Sequence, residues 1–285
     1  MIAVTGATGH LGRLVVAALL EKIPAKDIVA LVRTPSKAAD LVARGVHVRA
    51  GDYTQPAQWA AALQGVEKLL LISSSEVGQR ATQHQAVIDA AKAAGVKLIA
   101  YTSILRGKDS KLALAGEHVA TEKALAASGV PFVLLRNGWY LENYTDRLGS
   151  ALQHGLAGSA GNGRIAAASR ADFAAAAVAV LTTPGQAGKV YELAGDHPFT
   201  MADLAAEISK QSGKAVGYAD LPAEQFKGVL TGSGLPAVVA DIFVDADLNI
   251  VKGQLDDDSG TLRTLIGRPT TTLAAAVKAG LAQVR

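Results

Sequence analysis

Three glycines near the start of the chain constrain its fold more than any other feature of the sequence. They stand in the run Val4-Thr5-Gly6-Ala7-Thr8-Gly9-His10-Leu11-Gly12, which follows a short apolar strand and opens an amphipathic helix. A strand, a glycine-rich turn and a helix in this order are typical of the phosphate-binding turn of a dinucleotide-binding βαβ unit. The spacing therefore predicts a dinucleotide site at the amino terminus of this helix.

Each glycine of this run has a physical role in such a turn. Side chains at Gly6 and Gly9 would keep the backbone away from a pyrophosphate, and Gly12 lets the helix pack closely on the strand. The free N–H groups of the first helical turn then face the phosphates. A purely structural glycine turn is the alternative. The residues assigned to the cofactor site here are Gly6, Ala7, Thr8, Gly9, His10, Leu11 and Gly12.

Arg33 ends the second predicted strand, where an NAD-specific protein places an Asp or Glu against the ribose 2′-hydroxyl. A guanidinium group at that point can instead donate to a 2′-phosphate and stack on adenine. The sequence therefore predicts NADP(H) as the cofactor, and use of NADH stays open.

Further cofactor contacts are expected at the carboxyl ends of the next strands, because open α/β sheets bind their ligands there. Asp52 and Tyr53 follow the third predicted strand and are expected beside the adenine. Ser73, Ser74 and Ser75 end the fourth and are expected beside ribose or phosphate, with a plain loop as the alternative. Arg170, at the start of an Ala-rich helix, is expected to reach the cofactor or the substrate.

Short β-branched runs alternate with Ala- and Leu-rich helical patterns, which predicts an α/β Rossmann fold with a doubly wound parallel sheet. Strands are predicted over Ile2–Thr5, Ile28–Arg33, Val46–Gly51, Lys68–Ser73, Leu98–Ser103 and Phe132–Arg136. Helices are predicted over Leu11–Glu21, Ser36–Ala43, Gln55–Leu63, Gln79–Ala94 and Leu112–Ser128.

The rhythm loosens after Asn137, where glycine-rich turns precede the Ala-rich helix, a strand over 189–193 and several helices. This change predicts a smaller C-terminal α+β substrate lobe. The expected limits are 1–137 for the cofactor-binding domain and 138–285 for the substrate lobe, partly interleaved with the first domain.

Composition and charge exclude several classes of protein. The 285 residues are 49% hydrophobic and 19% charged, enough to bury a large core. The net charge is only +3 and no basic run occurs, which argues against nucleic acid as a partner. Cysteine is absent, so disulfides and thiol catalysis are excluded. His84 and His118 stand alone on predicted helices, and no metal site is expected.

The expected location is the cytoplasm. The amino terminus lacks the features of a secretory signal. A chain without cysteine has no disulfides, which is typical of a reducing compartment. The most apolar stretch, 165–181, is interrupted by Ser169, Arg170 and Asp172 and falls short of the roughly 20 apolar residues of a membrane span. The oligomeric state stays open, with a homodimer among the options.

Four segments together resemble the NmrA-like atypical short-chain dehydrogenases, and within them the bacterial type-two NAD(P)H:quinone oxidoreductases. They are the glycine run, Leu69-Leu70-Leu71-Ile72-Ser73-Ser74-Ser75-Glu76-Val77-Gly78-Gln79-Arg80, Glu117-His118-x-x-Thr121-Glu122-Lys123, and Leu135-Arg136-Asn137-Gly138-Trp139-Tyr140-x-Glu142-Asn143. The resemblance implies an NADPH site with a quinone lying over the nicotinamide. It adds to that site Asn137, Gly138, Trp139, Tyr140, Leu141 and Glu142. His10 stands where this family has glutamine, and either side chain can donate to phosphate.

The Tyr-x-x-x-Lys pair that most short-chain dehydrogenases use as a general acid is absent, because no tyrosine has a lysine four residues later. Reduction of a ketone leaves an alkoxide about as basic as hydroxide, with a pKa near roughly 15.7. Reduction of a quinone leaves a phenolate comparable with tyrosine, whose pKa is about 10. The sequence therefore favours direct hydride transfer to a quinone with little need for a protein acid.

Tyr140, Asn143 and Lys123 are the candidate catalytic residues. Each has a plain alternative: Lys123 as a solvated helix residue, and Tyr140 and Asn143 as core or capping residues. Two other functions also stay open, an NADP(H)-binding redox sensor without turnover and a reductase of an enone or ether.

Overall fold

The computed structural model describes residues 1–284. Its β-strands are β1 Ile2–Val4, β2 Ile28–Val32, β3 His47–Ala50, β4 Lys68–Leu71, β5 Leu98–Ile104, β6 Phe132–Asn137, β7 Leu156–Gly158, β8 Val190–Leu193 and β9 Tyr218–Asp220. Seven of them form one sheet in the order β3-β2-β1-β4-β5-β6-β8. The neighbours from β3 to β6 pair in parallel. This order confirms the predicted doubly wound Rossmann fold.

Helices connect these strands and continue beyond them. They are α1 His10–Leu20, α2 Ala39–Ala43, α3 Trp59–Ala62, α4 Arg80–Ala93, α5 Ala115–Ser128, α6 Glu142–Thr145, α7 Leu148–His154, α8 Arg170–Thr182, α9 Met201–Ser212, α10 Ala223–Gly232, α11 Ala237–Ile250, α12 Thr261–Ile266 and α13 Leu273–Leu281. Within residues 1–284, no helix has both the length and the apolar character that crossing a membrane requires.

The chain divides into two compact units. The first contains residues 1–108, 116–137 and 170–192, and the second contains 109–115, 138–169 and 193–285. Helix α8 and most of β8 therefore lie in the first unit, where α8 packs on α1 and β8 extends the sheet beside β6. The predicted boundary at residue 137 places α8 and β8 in the later lobe. Chain order alone does not show that β8 joins the sheet beside β6, because this depends on strand pairing. Within the second unit, β7 and β9 form a separate two-stranded parallel sheet.

The core of the first unit lies on both faces of the sheet. Leu69, Leu70 and Leu71 of β4 are completely buried, as expected for a central strand covered by helices on both sides. Helix α4 ends before Gly95 and α5 before Gly129, and both glycines have positive φ, +72° and +76°. The predicted helices over 79–94 and 112–128 end directly before these glycines, where a residue with positive φ stops a helix.

Candidate cofactor site

The glycine turn joins β1 to α1 at the carboxyl edge of the sheet. Gly6 has a φ of +58°, which a side chain would strain, and a Cβ added there would meet no atom within 4 Å. Gly12 is the opposite case, since its Cβ would lie 2.3 Å from the carbonyl oxygen of Gly6. Gly6 therefore borders open space, whereas Gly12 permits the close approach of helix and turn.

The first turn of α1 offers backbone N–H groups to that space. Gly9 is its N-cap and provides no side-chain cap, and the first turn carries no acidic side chain. The first intrahelical bond runs from Arg13 to Gly9, so the N–H groups of His10, Leu11 and Gly12 lack helical partners. An uncapped helix terminus beside open space suits an anion such as a pyrophosphate.

Thr5 and Tyr53 hold the strand ends beneath this turn. The Thr5 hydroxyl donates to the Leu70 carbonyl over 3.2 Å and accepts from the Ile72 N–H over 2.8 Å. The Tyr53 hydroxyl lies 2.7 Å from the Thr5 hydroxyl and donates to the Ile72 carbonyl. Burial raises the pKa of Tyr53. The polar end of Tyr53 therefore joins β1 to β4, and only its ring is left for contact with a ligand.

Arg33 comes directly after β2 and is exposed. Asp52, after β3, uses one carboxylate oxygen to accept from the Thr54 N–H and hydroxyl, both over 2.9 Å. No carboxylate follows β2 directly, since Thr34 and Pro35 come next in the chain. The edge next to β2 therefore presents a cation where an NAD-specific site carries an acid.

The serine loop, residues Ser73–Ser75, follows β4. The Ser73 N–H donates to the Thr102 hydroxyl over 2.8 Å. Ser74 is buried, and its hydroxyl donates inward to the Gln83 amide oxygen over 2.5 Å. Ser75 is exposed. The three hydroxyls are therefore not equivalent, because the middle one is already bonded inside the protein.

Asn137 ends β6 within the first unit. Its carbonyl accepts from the Leu105 N–H over 2.9 Å. The residue is 6% exposed, and its side-chain oxygen is buried without a hydrogen-bond partner. An unpaired buried amide oxygen is costly, and a donor from a bound ligand would satisfy it. Together with the open glycine turn, this observation indicates that the first unit fits an NADP(H)-type cofactor.

Residues 138–143, which follow Asn137 in the sequence motif, belong to the second unit. The Gly138 N–H donates to Leu193, and the Leu141 N–H donates to Ala168. Tyr140 forms a bridge with Ala168, which sets the path of residues 138–141. The other predicted site residues differ in exposure: Trp139, Tyr140, Glu142, Asn143 and Arg170 are half-buried, Leu141 is buried, and Lys123 is exposed on α5.

Two side chains of β5, Tyr101 and Ser103, have hydroxyls that neighbouring side chains hold. Ser103, near the end of β5, donates its hydroxyl to Glu122 over 2.6 Å. Tyr101 lies 2.8 Å from the Nδ1 atom of His118, and burial raises the pKa of the tyrosine. These bonds leave neither hydroxyl poised as a general acid.

Sequence reasoning missed a charged cluster beside this edge. Arg136 donates to both carboxylate oxygens of Glu122, over 2.9 and 2.7 Å, and to Glu192 over 2.8 Å. These hydrogen bonds raise the pKa of the guanidinium. No local charge pattern in the sequence reveals this cluster, because its members come from three separate elements, α5, β6 and β8.

Comparison with known proteins gives consistent results. Residues 6–184 match the model of a family described as NAD(P)H-binding. The chain is 58% identical to quinone oxidoreductase 2 of Escherichia coli K12, over 97% of each protein. Its structure is similar to the crystal structure of the NADPH-dependent quinone oxidoreductase of E. coli complexed with NADPH, with a TM-score of 0.95, 57% identity and coverage of 98% and 99%. It is also similar to Citrobacter sp. triphenylmethane reductase complexed with NADP(H), with a TM-score of 0.94, 39% identity and coverage of 98% and 100%.

Proposed function

Because this chain belongs to the NAD(P)H-binding family, as an NmrA-like atypical reductase of the quinone oxidoreductase 2 group, we propose that it is an NADPH-dependent quinone oxidoreductase. The observation that carries this assignment is the 58% identity to quinone oxidoreductase 2, which extends over 97% of both chains. The alternative of a sensor without turnover lacks comparable support.

The first unit supplies the groups that would bind NADPH. The N–H groups of His10, Leu11 and Gly12 are placed to donate to the pyrophosphate, and the open space at Gly6 leaves room for it. Arg33 is assigned to the 2′-phosphate. The unpaired oxygen of Asn137 is assigned to accept a hydrogen bond from the cofactor.

The bound cofactor would supply a hydride to the acceptor. Ser103 and Tyr101 are held by Glu122 and His118, so we expect the chain to contribute orientation and not acid catalysis through these two hydroxyls. A quinone suits such a site, since its reduced form is a phenolate with a pKa of about 10. Tyr140 and Asn143 are proposed to contact the acceptor, and Lys123 to contribute a positive charge.

A triarylmethane cation is a second candidate acceptor. The chain is 39% identical to triphenylmethane reductase over 98% of its length. Hydride addition to a carbocation gives a neutral product without any proton, so this acceptor likewise needs no general acid. The two acceptors are alternatives for one site and do not require different residues.

The test is to mix purified protein with NADPH and a simple benzoquinone and to follow the absorbance of the reduced nicotinamide. We expect acceptor-dependent oxidation without flavin, as checked by the visible spectrum. Tight NADPH binding without oxidation would instead favour a sensor. A cationic triarylmethane dye in place of the quinone measures the second activity through loss of its colour.

Replacement of Tyr140 by phenylalanine tests the absence of a protein acid. We expect Tyr140→Phe to retain most of kcat, because the phenolate product needs no donor. Loss of turnover with intact NADPH binding would assign the hydroxyl a role in proton transfer.

A further inference from the structure

Ser74 is held by all three of its polar groups, and all three partners lie in the first turns of α4. Its N–H donates to Nε2 of His84 over 3.0 Å. Its carbonyl accepts from Nε of Arg80 over 2.7 Å, and its hydroxyl donates to Gln83 over 2.5 Å. Both peptide groups of Ser74 are thus fixed by side chains and not by a strand ladder.

The hydrogen bonds of His84 define its tautomer. Nε2 faces a backbone N–H and must accept, while Nδ1 lies 3.0 Å from the hydroxyl of Thr121. That hydroxyl donates to the carbonyl of Glu117 over 3.0 Å, so Nδ1 must carry the proton. Burial lowers the pKa of His84 to about 3, which keeps the ring neutral. His84 therefore links α5 to the serine loop through a single neutral ring.

Arg80 and Glu117 make a second link between the same elements. One carboxylate oxygen of Glu117 accepts from the N–H groups of Gly78 and Arg80, over 3.0 and 3.2 Å, at the start of α4. The other carboxylate oxygen lies 3.5 Å from the Arg80 guanidinium. The side chains of Arg80 and Glu117 are 7% and 22% exposed, so solvent screens this pair weakly.

We propose that His84, Arg80 and Gln83 are positioning residues for the cofactor site. They fix the peptide planes of Ser74 and thereby aim Ser73 and Ser75 at the cofactor, whereas Ser74 itself faces the protein. This proposal rests on the assignment of the serine loop to the NADPH site. It gives the Glu117-His118-x-x-Thr121 segment a role beneath the site, since Glu117 and Thr121 hold Arg80 and His84.

The proposal is tested with His84→Leu, which removes the acceptor for the Ser74 N–H, and His84→Gln, which returns an amide oxygen near that point. NADPH dissociation constants are measured by fluorescence titration, and stability is measured by urea unfolding without NADPH. We expect His84→Leu to raise the NADPH Kd about tenfold and KM in parallel, with kcat at saturating NADPH retained within about twofold. His84→Gln should recover most of the affinity.

His118→Leu is the matched control. His118 is also a buried histidine with a pKa lowered to about 3, and its Nδ1 bonds to Tyr101 and not to the serine loop. We expect His118→Leu to lose stability but to keep the wild-type NADPH Kd. Equal weakening of NADPH binding in both leucine variants would mean a general loss of structure and would overturn the positioning role.

Gln83→Met gives an independent reading if His84→Leu fails to fold. It removes the acceptor of the Ser74 hydroxyl and leaves that hydroxyl in place. Weaker NADPH binding is expected; unchanged or tighter binding would contradict the positioning role of the Gln83 contact and overturn the proposal. Wild-type turnover of benzoquinone is measured first, because its absence would refute the proposed function and leave the binding series to decide the positioning role.

Discussion

Replacement of Gly6 by alanine separates backbone strain from loss of a phosphate site. Gly6 and Gly95 both have positive φ, +58° and +72°, and an added Cβ would meet no protein atom within 4 Å at either position. The left-handed conformation costs a non-glycine residue about 1–2 kcal/mol. Gly6→Ala and Gly95→Ala should therefore lose similar free energies of unfolding in urea.

NADPH affinity should distinguish the two variants. Gly6 lies at the glycine turn, whereas Gly95 follows α4 and precedes β5 at the opposite edge of the sheet. A methyl group at Gly6 would hold a phosphate off the turn and remove a charge-assisted hydrogen bond, worth about 1.5–3 kcal/mol. This corresponds to an increase of roughly tenfold to more than a hundredfold in the NADPH Kd. Gly95→Ala should leave the Kd unchanged.

Titration of NADPH into both variants, alongside urea unfolding without ligand, provides the measurement. Equal NADPH affinity in Gly6→Ala and Gly95→Ala, with equal loss of stability, would refute the assignment of the space at Gly6 to the pyrophosphate. A loss of stability at Gly6 far above that at Gly95 would instead show that the turn has steric constraints beyond its own φ.

Three other perturbations follow from the structure. Arg33→Gln should lower the ratio of kcat/KM for NADPH over NADH by about 10–100-fold, because it removes a bidentate donor to phosphate; an unchanged ratio would contradict the role of Arg33. Arg136→Met should lower the free energy of unfolding by about 3 kcal/mol, since it leaves Glu122 and Glu192 facing each other, 11% and 32% exposed; a loss below about 1 kcal/mol would resemble an ordinary surface pair. Burial raises the pKa of Asp247 from 3.8 to about 6. The folded protein therefore favours the protonated carboxyl group, and its contribution to the free energy of unfolding is full below pH 3.8. This contribution, about 3 kcal/mol, is lost as the pH rises through about 6. The difference in unfolding free energy between wild type and Asp247→Asn should follow this curve between those limits, and a flat difference would exclude it.

Local patterns predicted much of this molecule because their physical causes are local. The glycine turn, the strands β1 to β6 and the helix ends at Gly95 and Gly129 each depend on a few consecutive residues. Two predicted helices begin differently, since short 3-10 turns at Pro35–Ala38 and Pro56–Gln58 precede α2 and α3. Both turns begin with proline, which suits a first helical position because the N–H of that position has no helical partner.

The features that the sequence missed depend on contacts between distant segments. The place of β8 beside β6 is decided by strand pairing across more than one helix. The cluster of Arg136, Glu122 and Glu192 unites three elements. In the sequence, His84 stands alone on a predicted helix, and only the fold brings its two nitrogens to Ser74 and Thr121.

The serine loop could be predicted only in part from the sequence, because its position after a strand is local but its side-chain contacts are not. The three serines differ in what they face, because the Ser74 hydroxyl is bonded to Gln83 inside the protein. Exposure agrees, since Ser75 is exposed and Ser73 half-buried while Ser74 is buried. By residue type alone, the three serines are equivalent candidates for contact with the cofactor. Ser73→Ala and Ser75→Ala should therefore weaken NADPH binding by loss of a direct contact, whereas Ser74→Ala should act only through the loop it anchors to Gln83.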